Sequence, residues 1–148
     1  MTNWMYQKYV VKRFIDCGYH VYTSDHIGHG RSDGLYGLIN NYNDLVDDAM
    51  QHIKHVRTLY DKSVKLFIEC ESMGGAMAIT IAIRESNLVD GIVLQAPMAI
   101  ISESVRPPQS VVSVLTSISK YMPTAAVTPG NDLGMCITID YQLNSVVI

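Results

Sequence analysis

Charge is scarce in this sequence. Asp, Glu, Lys and Arg make up 17% of its 148 residues, against about 25% in ordinary globular usage. The formal net charge is −3, so nucleic-acid binding by a bulk basic surface is excluded as an expectation. No apolar run approaches the ~20 residues that a transmembrane helix needs. The opening MTNWMYQKYVVKRF has no basic region followed by an apolar stretch and does not read as a secretory signal. Cysteine is limited to Cys17, Cys70 and Cys136, an odd and widely spaced set that suits neither a disulfide framework nor a metal-ligand pattern. Internal repeats and low-complexity stretches are absent. What is present is apolar: 48% of the residues, too many for a disordered tail and enough for one packed domain of ~100–200 residues. The expectation is a soluble protein of a reducing, cytoplasmic compartment.

The pattern of elements is alternating. Trp4, Val10, Val11, Phe14 and Ile15 suit a helix that stops near Gly18. Tyr19 to Thr23 reads as a short strand by its aromatic and β-branched content. The segment SDHIGHGRSDGLYG, with four glycines among polar residues, is a loop. From Tyr42 to Tyr60, Leu45, Val46, Ala49, Met50, Ile53, Val56 and Leu59 fall on one helical face. Early aspartates and the late Lys54 and Arg57 complement that helix's dipole. VKLFIEC, Val64 to Cys70, is a mostly apolar run that predicts a strand buried on both faces of a parallel sheet. A helix follows from Met73 to about Arg84, then a third strand at Gly91–Leu94. Alternation of this kind specifies an α/β fold with a parallel sheet flanked by helices.

After Pro97 the texture changes. Pro107 and Pro108 open a helical stripe of Val111, Val112, Val114, Leu115, Ile118, Tyr121 and Met122, closed by Pro123. Residues 1–97 therefore read as a core and 98–148 as a different segment. Its last stretch, MCITIDYQLNSVVI, has no clear period.

The chemically informative site is LFIECESMGGAMA. A buried strand runs into Cys70-Glu71-Ser72-Met73-Gly74-Gly75 and straight on into a helix. A nucleophile elbow needs that context, because its serine sits on a strained strand-to-helix turn beside a helix N-terminus. Small residues are needed two before and two after the serine, where neighbouring chain crowds the turn. Gly74 meets the second requirement, and Cys70 stands where glycine is usual. An ordinary βα turn, with Ser72 as N-cap and Gly74 and Gly75 for packing, explains the same residues. In SDHIGHGRSDG, His26 and His29 with Asp25 and Asp33 also carry metal-binding side chains, but two histidines in a glycine-rich loop fix no geometry. The loop lacks the spacing of a phosphate loop.

DHIGHGRSDG after GYHVYTS, then ECESMGGAMA, then GIVLQAPM, at these relative spacings, closely resemble the monoglyceride lipase and lysophospholipase group of the α/β-hydrolase family. The plant and protist versions are nearest, and the resemblance runs from about Trp4 to Leu133. It implies a partial α/β-hydrolase fold and a serine ester hydrolase acting on monoacylglycerol-like lipids, with no cofactor and no metal. Ser72 matches the nucleophile that becomes the acyl-enzyme. Met73 matches the residue whose backbone N–H is half of the oxyanion hole. Asp25, His26, Gly28, His29 and Gly30 match a loop that braces the site, with both histidines structural, and Gly74 and Gly75 are the elbow glycines. The segment from Met98 matches the start of a lipid-facing cap, whose helix between Pro108 and Met122 either lines acyl-chain entry or simply packs on a core. An acyl lipid is the implied partner, and the cap offers a peripheral contact with membranes.

The same resemblance exposes what this sequence does not contain. Family members run roughly twice this length, as one domain around a large sheet. Their second oxyanion donor comes from a His-Gly segment after a strand that would precede Trp4. Their acid and base follow the serine in chain order, whereas His20, His26, His29, His52 and His55 all precede Ser72. Without a base a serine hydroxyl is a weak nucleophile. The absent strand would lie between those at His20 and Val64, and open strand edges invite self-association. From Gly134 the match reads as poor, as in a truncated gene product. Two expectations follow: an acylglycerol-lipase-type hydrolase of which this is the middle, or a catalytically silent fragment or lipid-binding module.

Overall fold

The computed structural model describes residues 4–99 and 107–122. In chain order the elements are α1 (Trp4–Asp16), α2 (Tyr42–Thr58), β1 (Phe67–Glu71), α3 (Met73–Arg84), β2 (Gly91–Gln95) and α4 (Gln109–Tyr121). β1 and β2 pair in parallel with Phe67 opposite Gly91 and Glu71 opposite Gln95, and α3 is the crossover between them. This is the βαβ unit that the alternating pattern predicts.

Asp90 sets the register. Its carboxylate accepts from the Leu66 N–H at 2.9 Å and from Lys65 at 2.8 Å, and its own N–H donates to the Leu66 carbonyl at 2.7 Å. Three bonds at one residue align the two strands before the ladder begins. α2 starts where the Asn41 side chain accepts from the Asn43 N–H, satisfying one of the free donors of a first turn. Its Leu45, Val46, Ile53 and Val56 are buried together with Met77, Ala78 and Ile81 of α3 and Ile68 of β1. The core thus lies between the sheet and the α2–α3 layer. Arg84 of α3 donates to Asp47 and Asn43 of α2 across the rim of that layer.

Two sequence expectations are corrected. Tyr19–Thr23 forms no strand, so the described sheet has two strands rather than three. A strand needs a neighbour to share its ladder, and no described segment pairs with this one. Side chains hold it instead: Tyr22 and His20 both hydrogen-bond the Tyr60 hydroxyl just past α2, at 2.6 and 2.5 Å, with edge-on ring contacts. The second correction concerns β1, which begins at Phe67 rather than Val64 and is not equally buried on both faces. Leu66, Ile68 and Cys70 face the α2–α3 core. On the other face, Phe67 packs near Phe14 and Val21, Glu69 is half-buried and Glu71 is exposed.

α4 forms where the proline punctuation predicts it, but none of its side chains is buried among the described residues. Val114 is 58% and Tyr121 89% exposed, so of the two readings of this helix, packing on a core is not seen among the described residues. The MCITIDYQLNSVVI stretch lies outside the described residues, as does Cys136. No described helix is long and apolar enough to cross a membrane.

Candidate active site

β1 ends at Glu71 and α3 starts at Met73, which leaves Ser72 alone at the turn. Its backbone has φ 53° and ψ −117°. An L-residue with positive φ is sterically penalised by its Cβ, and such strain persists only where the surroundings over-determine it. An N-cap serine has extended backbone and bonds its oxygen to the helix, whereas Ser72 has neither feature. The N-cap alternative is therefore set aside. The exposed Ser72 hydroxyl makes no hydrogen bond to any described residue. Beside it, Met73 opens α3, in the turn whose N–H groups have no partner within the helix.

The elbow's neighbours explain its small residues. A Cβ on Gly75 would lie 2.6 Å from the Cβ of Pro97, so this position admits no side chain. At Gly74 a Cβ would stand 3.4 Å from the Cβ of Cys70. A Cβ at position 74 would thus just touch that of Cys70, a far looser fit than at Gly75. Its thiol contacts the Val93 carbonyl at 3.5 Å. Burial first, and the nearby Glu69 carboxylate second, push that thiol up to about 11. A nucleophilic cysteine has its pKa lowered, not raised; Cys70 is a packing residue.

The SDHIGHGRSDG loop is a self-braced unit. The Asp25 carboxylate accepts from the Arg31 N–H at 2.9 Å, and the Asp25 carbonyl accepts from the Ser32 hydroxyl at 2.6 Å. Gly28 donates to the Asp33 carbonyl and accepts from the Gly37 N–H, both at 2.8 Å. Gly28 and Gly30 have φ of 73° and 55°, and a Cβ on Gly30 would fall on the Asp25 carboxylate. His29 turns its Nδ1 to the Ile27 carbonyl at 3.0 Å, and its N–H donates to the His26 carbonyl. The structure brings Asp25, His26, Gly28, His29 and Gly30 together in this loop, but no hydrogen bond joins them to Ser72. Among the described residues, no three His, Cys, Asp or Glu side chains are placed to hold a metal ion. Between this loop and α2 lies a shallow depression of about 370 Å³ lined by Asp25, Asp33, Asp48, His52 and His55; Ser72 is not on its wall.

The loop after β2 carries a feature that sequence reading does not disclose. GIVLQAPM is recognisable as a motif, yet only the backbone shows that Ala96 also has positive φ, 42°, and that Ser72 is bonded both to Gln95 at the end of β2 and to Met98 in the loop.

Comparison with known proteins agrees with this geometry. The chain is 29% identical over 134 residues to caffeoylshikimate esterase of Arabidopsis thaliana, an alignment covering 89% of this chain and 40% of that protein. It is 32% identical over 80 residues to monoglyceride lipase of Mus musculus, covering 54% and 26% respectively. The crystal structure of Paleococcus ferrophilus monoacylglycerol lipase superposes with a TM-score of 0.61 at 25% identity, covering 88% of this chain and 47% of that one. The chain thus spans less than half the length of these relatives. A family model described as serine aminopeptidase, S33, matches residues 2–145. That match runs through Gly134 and corrects the expectation of a poor fit beyond it. With a strained serine between strand and helix and a match along nearly its whole length, this chain belongs to the serine aminopeptidase S33 family of α/β-hydrolases.

Proposed function

We propose that Ser72 is the nucleophile of a serine carboxylic ester hydrolase of acylglycerol lipase or lysophospholipase type. The observation that carries this reading is the positive-φ, exposed Ser72 between β1 and α3, its hydroxyl bonded to none of the described residues. The Oγ would attack the ester carbonyl of a monoacylglycerol-like lipid while its proton passes to a base. The Met73 N–H would donate to the oxyanion, the glycerol-type alcohol would leave, and water would release the fatty acid from Ser72. The names of the relatives, two lipases and an esterase, support carboxylic ester chemistry. The exposed apolar side chains of α4, among them Val111, Val114 and Ile118, support contact with acyl chains or a membrane surface.

A second reading rests on the distribution of histidine: all five precede Ser72, so these residues supply no base in the family's order. In that reading the chain keeps an acyl-binding surface and does no chemistry. The two are separated by the encoding transcript and its product. The expected result is an in-frame His-Gly segment upstream, Asp and His downstream, and monoacylglycerol hydrolysis that Ser72→Ala abolishes. A reading frame confined to these 148 residues, with no turnover, would leave the silent reading.

A further inference from the structure

We infer that Ala96, Pro97 and Met98 form a strap that holds Ser72 in its strained conformation, and that Pro97 and Met98 are positioning residues for this serine. The inference rests on the reading of Ser72 as nucleophile.

Ser72 and Ala96 are the two non-glycine residues with positive φ among the described residues, at 53° and 42°. They face each other across the ends of β1 and β2, and backbone bonds tie them. The Ser72 N–H donates to the Gln95 carbonyl at 3.1 Å, one residue before Ala96. The Ser72 carbonyl accepts from the Met98 N–H at 2.8 Å, two residues after it, and from the Gly75 N–H at 3.0 Å. One backbone atom of the strained serine is therefore held by Gln95 at the end of β2 and the other by Met98, with Ala96 and Pro97 spanning the two. Between the two grips sits Pro97, whose ring lies so close to α3 that Gly75 can carry no Cβ. Proline has no N–H and a fixed φ, so it leaves Met98 as the donor and stiffens the turn that presents it.

A free serine would relax to negative φ and swing its hydroxyl away from the helix N-terminus. Two anchors, one on each side of the residue, oppose that rotation. A single bond would leave one of the flanking peptide planes free to turn. The strain at Ala96 is the consequence of bringing Gln95 and Met98 to bear on one residue.

The test reads elbow geometry without needing turnover. Ser72→Cys is made in the full chain carrying Cys17→Ser and Cys136→Ser; Cys70 stays, because its raised pKa keeps it silent. The alkylation rate of the new thiol by iodoacetamide is followed against pH. With the strap intact, the midpoint is expected about one unit or more below the ordinary ~8.5, since a thiolate at a helix N-terminus is stabilised. Adding Met98→Pro removes the N–H that grips the Ser72 carbonyl, and the midpoint should return towards ~8.5. Should that variant fail to fold by circular dichroism, Pro97→Ala, which removes only the ring, should move the midpoint the same way by a smaller amount. Ala96→Gly, which accepts positive φ without strain, should leave the midpoint where it is. A lowered midpoint unchanged by both Met98→Pro and Pro97→Ala in folded protein would overturn the strap while leaving the nucleophile reading intact. An ordinary midpoint with the strap intact would overturn both.

Discussion

At Gly75 a single hydrogen atom separates a working turn from a clash. Gly75→Ala would press a methyl to 2.6 Å from the Pro97 Cβ, and overpacking of this kind costs about 1–3 kcal/mol. Thermal unfolding by circular dichroism should show a clear drop in Tm, whereas an unchanged Tm would mean that Pro97 moves aside freely. Cys70 stands beside the other elbow glycine and has the opposite margin. Removing its side chain by Cys70→Gly opens space beside Gly74 and loses one weak bond to Val93, so the fold should persist. Its chemistry is checked separately. Near neutral pH, mass spectrometry after brief iodoacetamide treatment should find the exposed Cys17 alkylated and Cys70 spared. Rapid modification of Cys70 in folded protein would contradict its burial.

Two carboxylates at the β1–β2 pair are shifted in opposite directions. Asp90, at the entrance to β2, is held below its usual carboxylate range by Lys65 first and the Leu66 N–H second. A depressed acid stabilises the fold above its unfolded pKa, and that contribution is lost as pH falls from ~4 through the lower folded value. Asp90→Asn should therefore lower Tm at neutral pH and flatten its decline in acid. Glu69 is the reverse case: burial first, and Glu71 second, raise its carboxyl. A raised acid destabilises the fold once pH exceeds the folded value, since the native state must then hold a disfavoured charge. Glu69→Gln should raise Tm at neutral pH, with the difference fading as pH falls through the raised folded value and gone by about pH 4. Melting curves across this range for the two variants test both signs, and parallel curves would refute them. The elements themselves were largely legible. The α2 stripe follows local periodicity, and the helix from Met73 and the strand at Gly91–Leu94 follow local composition; none of these signals needs knowledge of the partner. Tyr19–Thr23 was misread because its strand-like composition reports a preference for a pleated, half-buried surface, while a ladder requires a neighbour.

For the whole molecule, α2 and α3 form a layer on one face of a two-stranded sheet, Phe14 of α1 lies against Phe67 on the other, and each described strand is paired on one side only. Unpaired edges with apolar flanks favour association. On size-exclusion chromatography the 148-residue chain is expected to elute as an associated species rather than a monomer; a monodisperse monomer with a cooperative melt would contradict this. By the same token, the chain alone should hydrolyse a short chromogenic ester far below the ~10 s⁻¹ of ordinary enzymes, because no histidine follows Ser72. Ordinary turnover lost in Ser72→Ala would refute that and would make one of the upstream histidines the base.

Periodicity, proline and glycine punctuation and the run LFIECESMGG determined, from sequence alone, that a strand and a helix meet at Ser72, since those signals act between residues close along the chain. Tertiary structure alone decided that Ser72 is strained rather than capping, that Gly75 is a glycine because of Pro97, and that QAPM grips the elbow. Each depends on two segments more than twenty residues apart meeting within hydrogen-bond or van der Waals distance. Local propensity carries no record of such contacts: it describes how a residue prefers to bend, and a strained residue is one whose distant neighbours override that preference.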